Sequence, residues 1–226
     1  MTLPDRLADA AISEITSGMM VGLGTGRAAT RAIHALAARV AREKLDITCV
    51  ATSIASDELG KQLGLCVFPM EQVAKVDFLF DGADEVDPQL RMVKGRGGAM
   101  TREKIVAAAA KRRVYLIDDS KLVTQLGEKM PLPIEVMRFG LASVAARLQA
   151  LGLAGPIRQK DGSDYLTDNG NLVIDAALPS TKSPEEFGRH LDAMEGVIDH
   201  GLFLTEADVV LVENKAGEVS RRARQR

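Results

Sequence analysis

The first two thirds of the chain alternate between short apolar runs and longer segments with apolar residues at helical spacing. Met19–Leu23 is an apolar run that ends in Gly24-Thr25-Gly26, and Ala28–Arg42 then has the periodicity of a helix. The same two periodicities predict a helix over residues 4–16, strands at Ile47–Ala51, Leu65–Phe68, Val76–Phe80 and Val114–Asp118, and helices at Ile54–Leu63 and Ala99–Lys111. This alternation predicts a mostly parallel sheet covered by helices.

The pattern changes beyond Gly127, where polar turns separate shorter segments. This part contains predicted strands at Leu132–Val136, Ile157, Leu172–Asp175 and Ala207–Val212 and predicted helices at Leu141–Leu151 and Pro184–Met194. The last of these strands is expected to return to the first sheet. We therefore predict a Rossmann-like α/β fold with a large domain at 1–126 and 204–226. A small α+β domain at 127–203 is inserted before the last strand.

The charge of the chain is nearly balanced, with 29 basic and 31 acidic residues and a net charge of −2. A nucleic-acid binder would normally have a clearly basic domain, so the balance argues against that class. The hydrophobic fraction of 46% is ample for a core and excludes a disordered chain. The one local bias is a set of terminal arginines, which we interpret as a solvated tail: Arg221, Arg222, Arg224 and Arg226.

The cysteines and the N-terminal segment bear on the compartment. Cys49 and Cys66 lie in apolar runs typical of buried strands, and neither has the spacing of a zinc or disulfide site. Asp5, Asp9 and Glu14 interrupt the first apolar residues, which excludes a signal or transit peptide. No apolar run approaches the roughly 20 residues of a membrane span. We expect a soluble, cytoplasmic protein that has no membrane partner.

Four segments at predicted strand ends carry the candidate chemistry, because ligands of open α/β sheets bind there. The first is the glycine loop Gly22–Ala29, which suits either a phosphate or carboxylate at a helix start or a plain tight turn. A dinucleotide site would also need an acidic residue after the next strand, which instead ends in Thr52-Ser53. The second segment is Thr52–Ser56, whose hydroxyl groups can either cap a helix or contact a ligand.

The third segment, Asp81–Asp87, places several carboxylates directly after an apolar strand. Clustered carboxylates repel one another, so a binding site is favoured over a plain structural turn. The sequence lacks the longer oxygen series of a calcium loop, and no His or Cys is near in sequence. Sugar hydroxyls, which donate hydrogen bonds to carboxylates, fit the segment without a metal.

The fourth segment, Lys94–Lys104, has three glycines between cations and then opens a helix. A flexible electropositive loop of this kind suits an anionic ligand. Glu103 falls in the first helical turn, where an acidic residue is favoured by the helix dipole in any case. In a site that also holds Asp81 and Lys94, its carboxylate would be suited to general-base catalysis.

Taken in order, these segments resemble one enzyme family. GLGTG, ATSIAS, DGADEVD, KGRGGAMTREKIV and DDSKLVTQLG are similar, in order and spacing, to the motifs of ribose-5-phosphate isomerase type A. The likeness spans nearly the full chain. It implies interconversion of ribose 5-phosphate and ribulose 5-phosphate through an enediolate, in the non-oxidative branch of the pentose phosphate pathway, with no metal and no organic cofactor.

The resemblance also implies roles for individual residues. Glu103 would be the base that moves a proton between C1 and C2, and Lys94 would stabilise the negative oxygen. Asp81 would assist ring opening and hydroxyl proton transfer, and Asp84 would also bind the sugar. The remaining substrate-binding residues that it implies are Thr25, Gly26, Arg27, Ala28, Gly82, Ala83, Gly95, Arg96, Gly97 and Lys121.

The chain departs from the family pattern in two places. Members commonly have Ser-Thr after Gly-Thr-Gly, whereas this chain has Arg27-Ala28. An arginine can bind phosphate through two hydrogen bonds, but it can also point away or change the preferred sugar. The proline that usually follows the PxEV strand is also missing, because PIEV leads into Met137-Arg138.

Two alternatives stay open at the level of sequence. One is another enzyme of the same fold group, such as an amino-sugar phosphate deaminase or a CoA transferase. The other is a non-catalytic sugar-phosphate sensor. The small domain shows no chemistry of its own, so we expect it to serve assembly into the homodimer or homotetramer that the family implies.

Overall fold

The computed structural model describes residues 5–180 and 182–224, which form two compact units. The first unit takes in the described residues up to Ala83, those of Arg102–Lys121 and those from Glu206 onward. The second unit consists of Asp84–Thr101 and the described part of Leu122–Thr205. No helix in the two described ranges is long and apolar enough to cross a membrane.

The helices and strands alternate over most of the chain. The helices are α1 (Arg6–Ile12), α2 (Arg27–Glu43), α3 (Ile54–Gln62), α4 (Met100–Ala109), α5 (Leu141–Ala150) and α6 (Pro184–Asp192). The strands are β1 (Met20–Leu23), β2 (Thr48–Ala51), β3 (Val76–Asp81), β4 (Glu85–Val86), β5 (Met92–Val93), β6 (Ala110–Asp118), β7 (Leu132–Val136), β8 (Gln159–Lys160), β9 (Ser163–Asp164), β10 (Leu172–Ala176), β11 (Val197–His200), β12 (Leu202–Phe203), β13 (Val209–Glu213) and β14 (Val219–Ala223).

The first unit is built on a six-stranded sheet of order β14-β13-β6-β3-β1-β2. All neighbouring pairs are parallel except β13 and β14. Leu23 of β1 is paired with Phe80 of β3, so these two strands end at the same edge of the sheet. Leu7 of α1 and Ile33 of α2 belong to the same buried apolar cluster as Phe78 of β3. This packing covers the sheet and fixes the strand ends that carry the glycine loop and the acidic motif.

The second unit has an antiparallel sheet of order β10-β7-β11. Ile134 of β7 packs in one buried apolar cluster with Leu148 of α5 and Phe187 of α6. A small sheet of order β12-β5-β4 and the hairpin β8-β9 complete the unit. The strand β5 leads directly into Lys94, so this small sheet positions the fourth candidate segment.

The predicted Rossmann-like architecture with a mostly parallel sheet is confirmed. The predicted strand at Leu65–Phe68 is wrong, since Val67 forms only an isolated bridge with Cys49. Pro69 follows at once and has no N–H with which to extend the ladder. Cys66 is correspondingly exposed rather than buried, although Cys49 is buried as expected. Ile157, also predicted as a strand, likewise forms only an isolated bridge.

The terminal arginines are not all in a solvated tail. Arg221 and Arg222 lie in β14, which pairs antiparallel with β13 at the edge of the large sheet. Their side chains are exposed, and charged residues on an edge strand discourage pairing with other chains. Arg226 and the proposed helix start at Pro4 lie outside the described residues. The domain boundaries at 126/127 and 203/204 stay a prediction; the compact units differ by placing residues 84–101, 122–126 and 204–205 in the second unit.

Candidate active site

Asp81 joins the first and third candidate segments in the first unit. It ends β3 with its side chain fully buried, and its Oδ1 accepts hydrogen bonds from the N–H groups of Thr25 (2.9 Å) and Gly82 (2.7 Å). Gly24 makes this approach possible, because a Cβ there would lie 2.3 Å from Oδ1 of Asp81. The glycine loop therefore needs a residue without a side chain at this position, and the buried carboxylate is held by backbone donors.

The hydroxyl groups of the second segment hold the glycine loop. Thr25 Oγ1 lies 2.7 Å from Thr52 Oγ1 and donates to Ser53 Oγ at 2.8 Å, while Ser56 Oγ donates to the carbonyl of Gly24 at 2.6 Å. Ser53 also accepts from the N–H of Ser56 and so caps α3. The capping interpretation of this segment is thus confirmed, and the same hydroxyls fix the backbone next to Asp81.

Arg27 begins α2, directly after the cap residue Gly26. Arg27 is exposed, whereas Ala28 is half-buried and packs against the apolar cluster. The positive end of a 17-residue helix therefore carries an accessible guanidinium. This arrangement can bind an anion through both a charged side chain and backbone N–H groups.

Glu103 lies in the first turn of α4 and is only 4% exposed. Tyr115 of β6 is fully buried and is the register partner of Asp81 in β3, so the two side chains leave the sheet on the same face. Burial raises the pKa of Tyr115 well above its usual value, and the carboxylates of Asp81, Glu206 and Glu103 raise that pKa further. The phenol therefore remains protonated in the neighbourhood of two candidate catalytic carboxylates.

Tyr115 is not among the candidate site residues predicted from the sequence. In the sequence it is one aromatic residue within an apolar strand, which is typical of a core position. Only the pairing of β3 with β6 places it beside Asp81. A strand register of this kind joins residues 34 positions apart and has no local signal.

Lys121 ends the short 3₁₀ helix Asp119–Lys121 that follows β6, and it is half-buried. Burial alone would raise the pKa of Asp118, but hydrogen bonds from Ser120 and the charge of Lys121 outweigh it and lower that pKa. Lys121 lies just beyond the carboxyl end of β6, which is where a binding residue of the large sheet is expected.

The acidic residues of the segment Asp81–Asp87 differ in their hydrogen-bond partners. In the second unit, Oδ2 of Asp84 accepts from the N–H of Arg96 at 2.9 Å, which ties the motif to the fourth segment. Glu85 is buried, and its carboxylate accepts hydrogen bonds from the backbone N–H groups of Gly127, Lys129 and Met130 at 2.5–2.8 Å. Asp87 accepts from Arg91. Glu85 and Asp87 are therefore held in buried structural contacts, whereas Asp84 is only half-buried.

Lys94 is a buried cation in the second unit, with only 2% of its surface exposed. Its N–H donates to the carbonyl of Gly201 at 2.9 Å, and its Nζ lies 5.5 Å from the ring centroid of Phe203. Gly95 is buried, but Arg96 and Gly97 are exposed. A buried ammonium beside an accessible backbone loop is suited to stabilise negative charge on a bound ligand.

The structure therefore assembles the predicted residues within each unit. Thr25 and Gly82 meet Asp81 in the first unit, and Arg96 meets Asp84 in the second. Within the described ranges, no group of three or more His, Cys, Asp and Glu side chains is arranged to hold a metal ion.

The chain is similar in sequence to proteins named ribose-5-phosphate isomerase A over most of its length. The family model of ribose 5-phosphate isomerase A (phosphoriboisomerase A) matches residues 48–217. Ribose-5-phosphate isomerase A of Sphingopyxis alaskensis is 44% identical over 202 residues, which cover 89% of this chain and 88% of the relative. The protein of the same name from Roseiflexus sp. is 44% identical over 216 residues, which cover 95% and 93%.

Solved structures give the same result. Ribose 5-phosphate isomerase A from Methanocaldococcus jannaschii matches with a TM-score of 0.90 and 36% identity over 96% of each chain. A D-ribose-5-phosphate isomerase solved in complex with phospho-erythronic acid matches with a TM-score of 0.92 and 35% identity, also over 96% of each chain.

Proposed function

The chain belongs to the ribose 5-phosphate isomerase A family, and from this premise we propose how its residues interconvert ribose 5-phosphate and ribulose 5-phosphate. The observation that carries the proposal is that the family match at 48–217 includes all four candidate catalytic residues. Each of them has a distinct environment: Asp81, Lys94 and Glu103 are buried, and Asp84 is half-buried. We assign them separate steps of one proton-transfer reaction.

The first step opens the sugar ring. Asp81 takes part in the transfer of a proton between the C1 hydroxyl and the ring oxygen, which yields the open-chain aldehyde. Its Oδ1 is held by two N–H groups, so the carboxylate keeps one orientation during this transfer. Asp84 accepts hydrogen bonds from sugar hydroxyls and holds the open chain in place.

The second step is the isomerisation. Glu103 removes the proton from C2, the electron pair forms the C1–C2 double bond, and the C1 carbonyl oxygen becomes the negative oxygen of an enediolate. Lys94 stabilises this developing charge. The proton held by Glu103 then returns to C1, while a hydroxyl proton moves from O2 to O1, which gives the ketose. No atom or electron is needed from outside the substrate.

Substrate deuterated at C2 tests the base-catalysed step directly. In a coupled assay for ribulose 5-phosphate, we expect a primary isotope effect on turnover and exchange of the label with solvent. A reaction without either effect would contradict proton abstraction at C2. An acyl-CoA adduct trapped on Glu103 would instead support the transferase alternative, in which this carboxylate is a nucleophile.

Arg27→Ala is expected to raise KM for ribose 5-phosphate with little change in kcat. The phosphate keeps its charge throughout the reaction, so its contacts stabilise ground state and transition state equally. A charge-assisted hydrogen bond contributes about 1.5–3 kcal/mol, which corresponds to a KM increase of roughly 10-fold or more. The weak reaction of unphosphorylated ribose is the control and should hardly change. Equal losses on both sugars would show that Arg27 shapes the site, and an unchanged KM would place it in solvent.

Exhaustive chelation is expected to leave the rate of isomerisation unchanged, because the proposed steps use only side chains and backbone N–H groups. The rate of enzyme dialysed against a chelator is compared with that of enzyme given Mg²⁺, Mn²⁺ or Zn²⁺. Loss of activity on chelation and its recovery with one of these ions would reassign Asp81 and Asp84 as metal ligands.

We also propose that the enzyme is a homodimer or homotetramer and acts in the cytoplasm. Phe139 is 98% exposed and Met137 46% exposed, and neighbouring apolar side chains of this size are typical of a surface that another subunit covers. Light scattering of the purified enzyme measures its oligomeric state.

The cytoplasmic location is supported by the cysteines. Cys49 and Cys66 are both free thiols, which is usual in a reducing compartment.

A further inference from the structure

We propose that Arg158 and Tyr165 are positioning residues that hold the Gly95–Gly98 loop in its substrate-binding conformation. The inference rests on the proposed function and on the substrate contacts expected of Gly95, Arg96 and Gly97. It assigns a task to two residues from a part of the chain for which we expected only assembly. Both lie within the second unit, as does the loop.

Three consecutive carbonyl groups of the loop accept hydrogen bonds from these two side chains. Nη1 of Arg158 donates to the carbonyl of Gly95 at 2.9 Å and to that of Arg96 at 3.0 Å. The hydroxyl of Tyr165 donates to the carbonyl of Gly97 at 2.9 Å. The orientation of three successive peptide groups is therefore set by residues more than 60 positions away in sequence.

Arg158 is itself fixed before it reaches the loop. Its Nε and Nη2 donate to the two carboxylate oxygens of Asp175 at 2.9 and 2.5 Å, and its side chain is only 15% exposed. Its guanidinium lies 5.7 Å from the ring centroid of Tyr165, within the range of a cation–π interaction. The N–H of Tyr165 also donates to the carbonyl of Arg158 at 2.9 Å. The two donors thus form one preorganised group.

The carbonyl contacts determine where the loop's N–H groups point, because the C=O and N–H of a trans peptide are directed oppositely. The N–H of Arg96, which shares a peptide with the carbonyl of Gly95, donates to Asp84. The N–H of Gly97 shares a peptide with the carbonyl of Arg96 and so points away from Arg158. This N–H is then available to a substrate oxygen, and its direction depends on the Arg158 contact.

Close packing at Gly98 supports the same conclusion. Gly98 has a φ of +76°, and a Cβ there would lie 2.3 Å from the hydroxyl oxygen of Tyr165. The N–H of Gly98 donates to the carbonyl of Gly95 and closes a tight turn. Tyr165 therefore packs directly on the turn that follows Lys94, and the loop has little freedom to change shape.

Lysine is a poor substitute for Arg158. The guanidinium uses three nitrogens at once, two on Asp175 and one on the loop carbonyls. A single ammonium cannot reproduce this planar arrangement. Arg158→Lys keeps the charge but loses the geometry, whereas Tyr165→Phe keeps the ring and removes one hydrogen bond. Each variant therefore removes hydrogen bonds to the loop carbonyls while it keeps most of the side chain that packs within the unit.

The experiment compares Arg158→Lys and Tyr165→Phe with the wild type and with Arg147→Lys. Arg147 is a matched control in the same unit, where it donates hydrogen bonds to the side chain and the carbonyl of Glu195. We measure kcat, KM, the inhibition constant of phospho-erythronic acid and Tm. We expect kcat to fall about 10–100-fold for Arg158→Lys, because small misplacements of binding groups have effects of this size. Tyr165→Phe should give a smaller fall, and Arg147→Lys should give none.

The inhibition constant separates positioning from structural support. Phospho-erythronic acid has one carbon fewer than the sugar and ends in a charged carboxylate at the reacting end of the chain, so a misplaced loop should weaken its binding by a larger factor than it raises KM. A lower Tm with unchanged kcat and inhibition constant at assay temperature would overturn the inference. If Arg158→Lys does not fold, Tyr165→Phe decides alone, and wild-type values for it would also overturn the inference.

Lys94→Gln, measured in parallel, separates this inference from the proposed mechanism. Loss of turnover in Lys94→Gln with normal turnover in both positioning variants would overturn only the role of Arg158 and Tyr165. Normal turnover in Lys94→Gln would overturn the role of Lys94 in the proposed mechanism. Losses in all three variants, with Arg147→Lys unaffected, support both.

Discussion

Glu103→Gln is expected to lower kcat for ribose 5-phosphate by about 10²–10⁴, because removal of a general base has effects of this size. The amide keeps the shape of the side chain and most of its hydrogen bonding, but it cannot accept the C2 proton. Glu103 is 4% exposed, so solvent has little access with which to supply a replacement base. Substrate should still bind, and KM should change far less than kcat.

Glu58→Gln is the matched control, because it makes the same change at an exposed position of the first unit. The coupled assay measures kcat, and equilibrium dialysis with phospho-erythronic acid measures binding. We expect wild-type turnover for Glu58→Gln and near-normal analogue binding for Glu103→Gln. Turnover close to that of the wild type in Glu103→Gln would rule out this residue as the base.

The part of the site that follows from strand ends was predictable. Asp81 and the glycine loop each follow an apolar run, and parallel strands end at one edge of a sheet. Because Leu23 is paired with Phe80, the residues that follow the two strands lie side by side. The N–H of Thr25 can therefore donate a hydrogen bond to Asp81. Sequence alone indicated that these segments meet, but only the sheet order determined which of their atoms do so.

The residues that support the site were not predictable, since their partners are far away in sequence. Arg158 is separated from Gly95 by 63 residues and Tyr165 from Gly97 by 68. Both lie beside the polar turns of a segment that shows no catalytic pattern. A side chain that donates to a backbone carbonyl leaves no signature in the sequence of its acceptor, so this second role of the small α+β region appeared only in three dimensions.

The errors in the predicted fold also have local physical causes. The run Leu65–Phe68 is apolar enough for a strand, but Pro69 limits it to one bridge. β14 was missed because Val219–Ala223 contains two arginines, which suit an edge strand that has one neighbour and is mostly exposed. The strands β4, β5 and β12 have two residues each, too few for a period-2 pattern to be recognised.

Lys94→Gln is expected to lower kcat by about 10²–10³, the size of effect found when one preorganised donor to a developing oxyanion is removed. Glutamine retains an N–H donor, but its side chain is one atom shorter than that of lysine and has no charge. Because Lys94 is 2% exposed, its charge acts with little screening by water. The substitution should therefore slow the step in which the enediolate forms.

The binding of phospho-erythronic acid shows whether Lys94 acts on that step. The carboxylate of the analogue is charged, whereas the aldehyde of the open-chain substrate is not, so the inhibition constant should rise by a much larger factor than KM. Lys160→Gln is the control, since it removes an exposed cation from the same unit and should change neither quantity. Equal factors for the inhibition constant and KM would mean that Lys94 binds the ground state and transition state alike. Its assigned role in stabilising the negative oxygen would then be wrong, even if turnover had fallen.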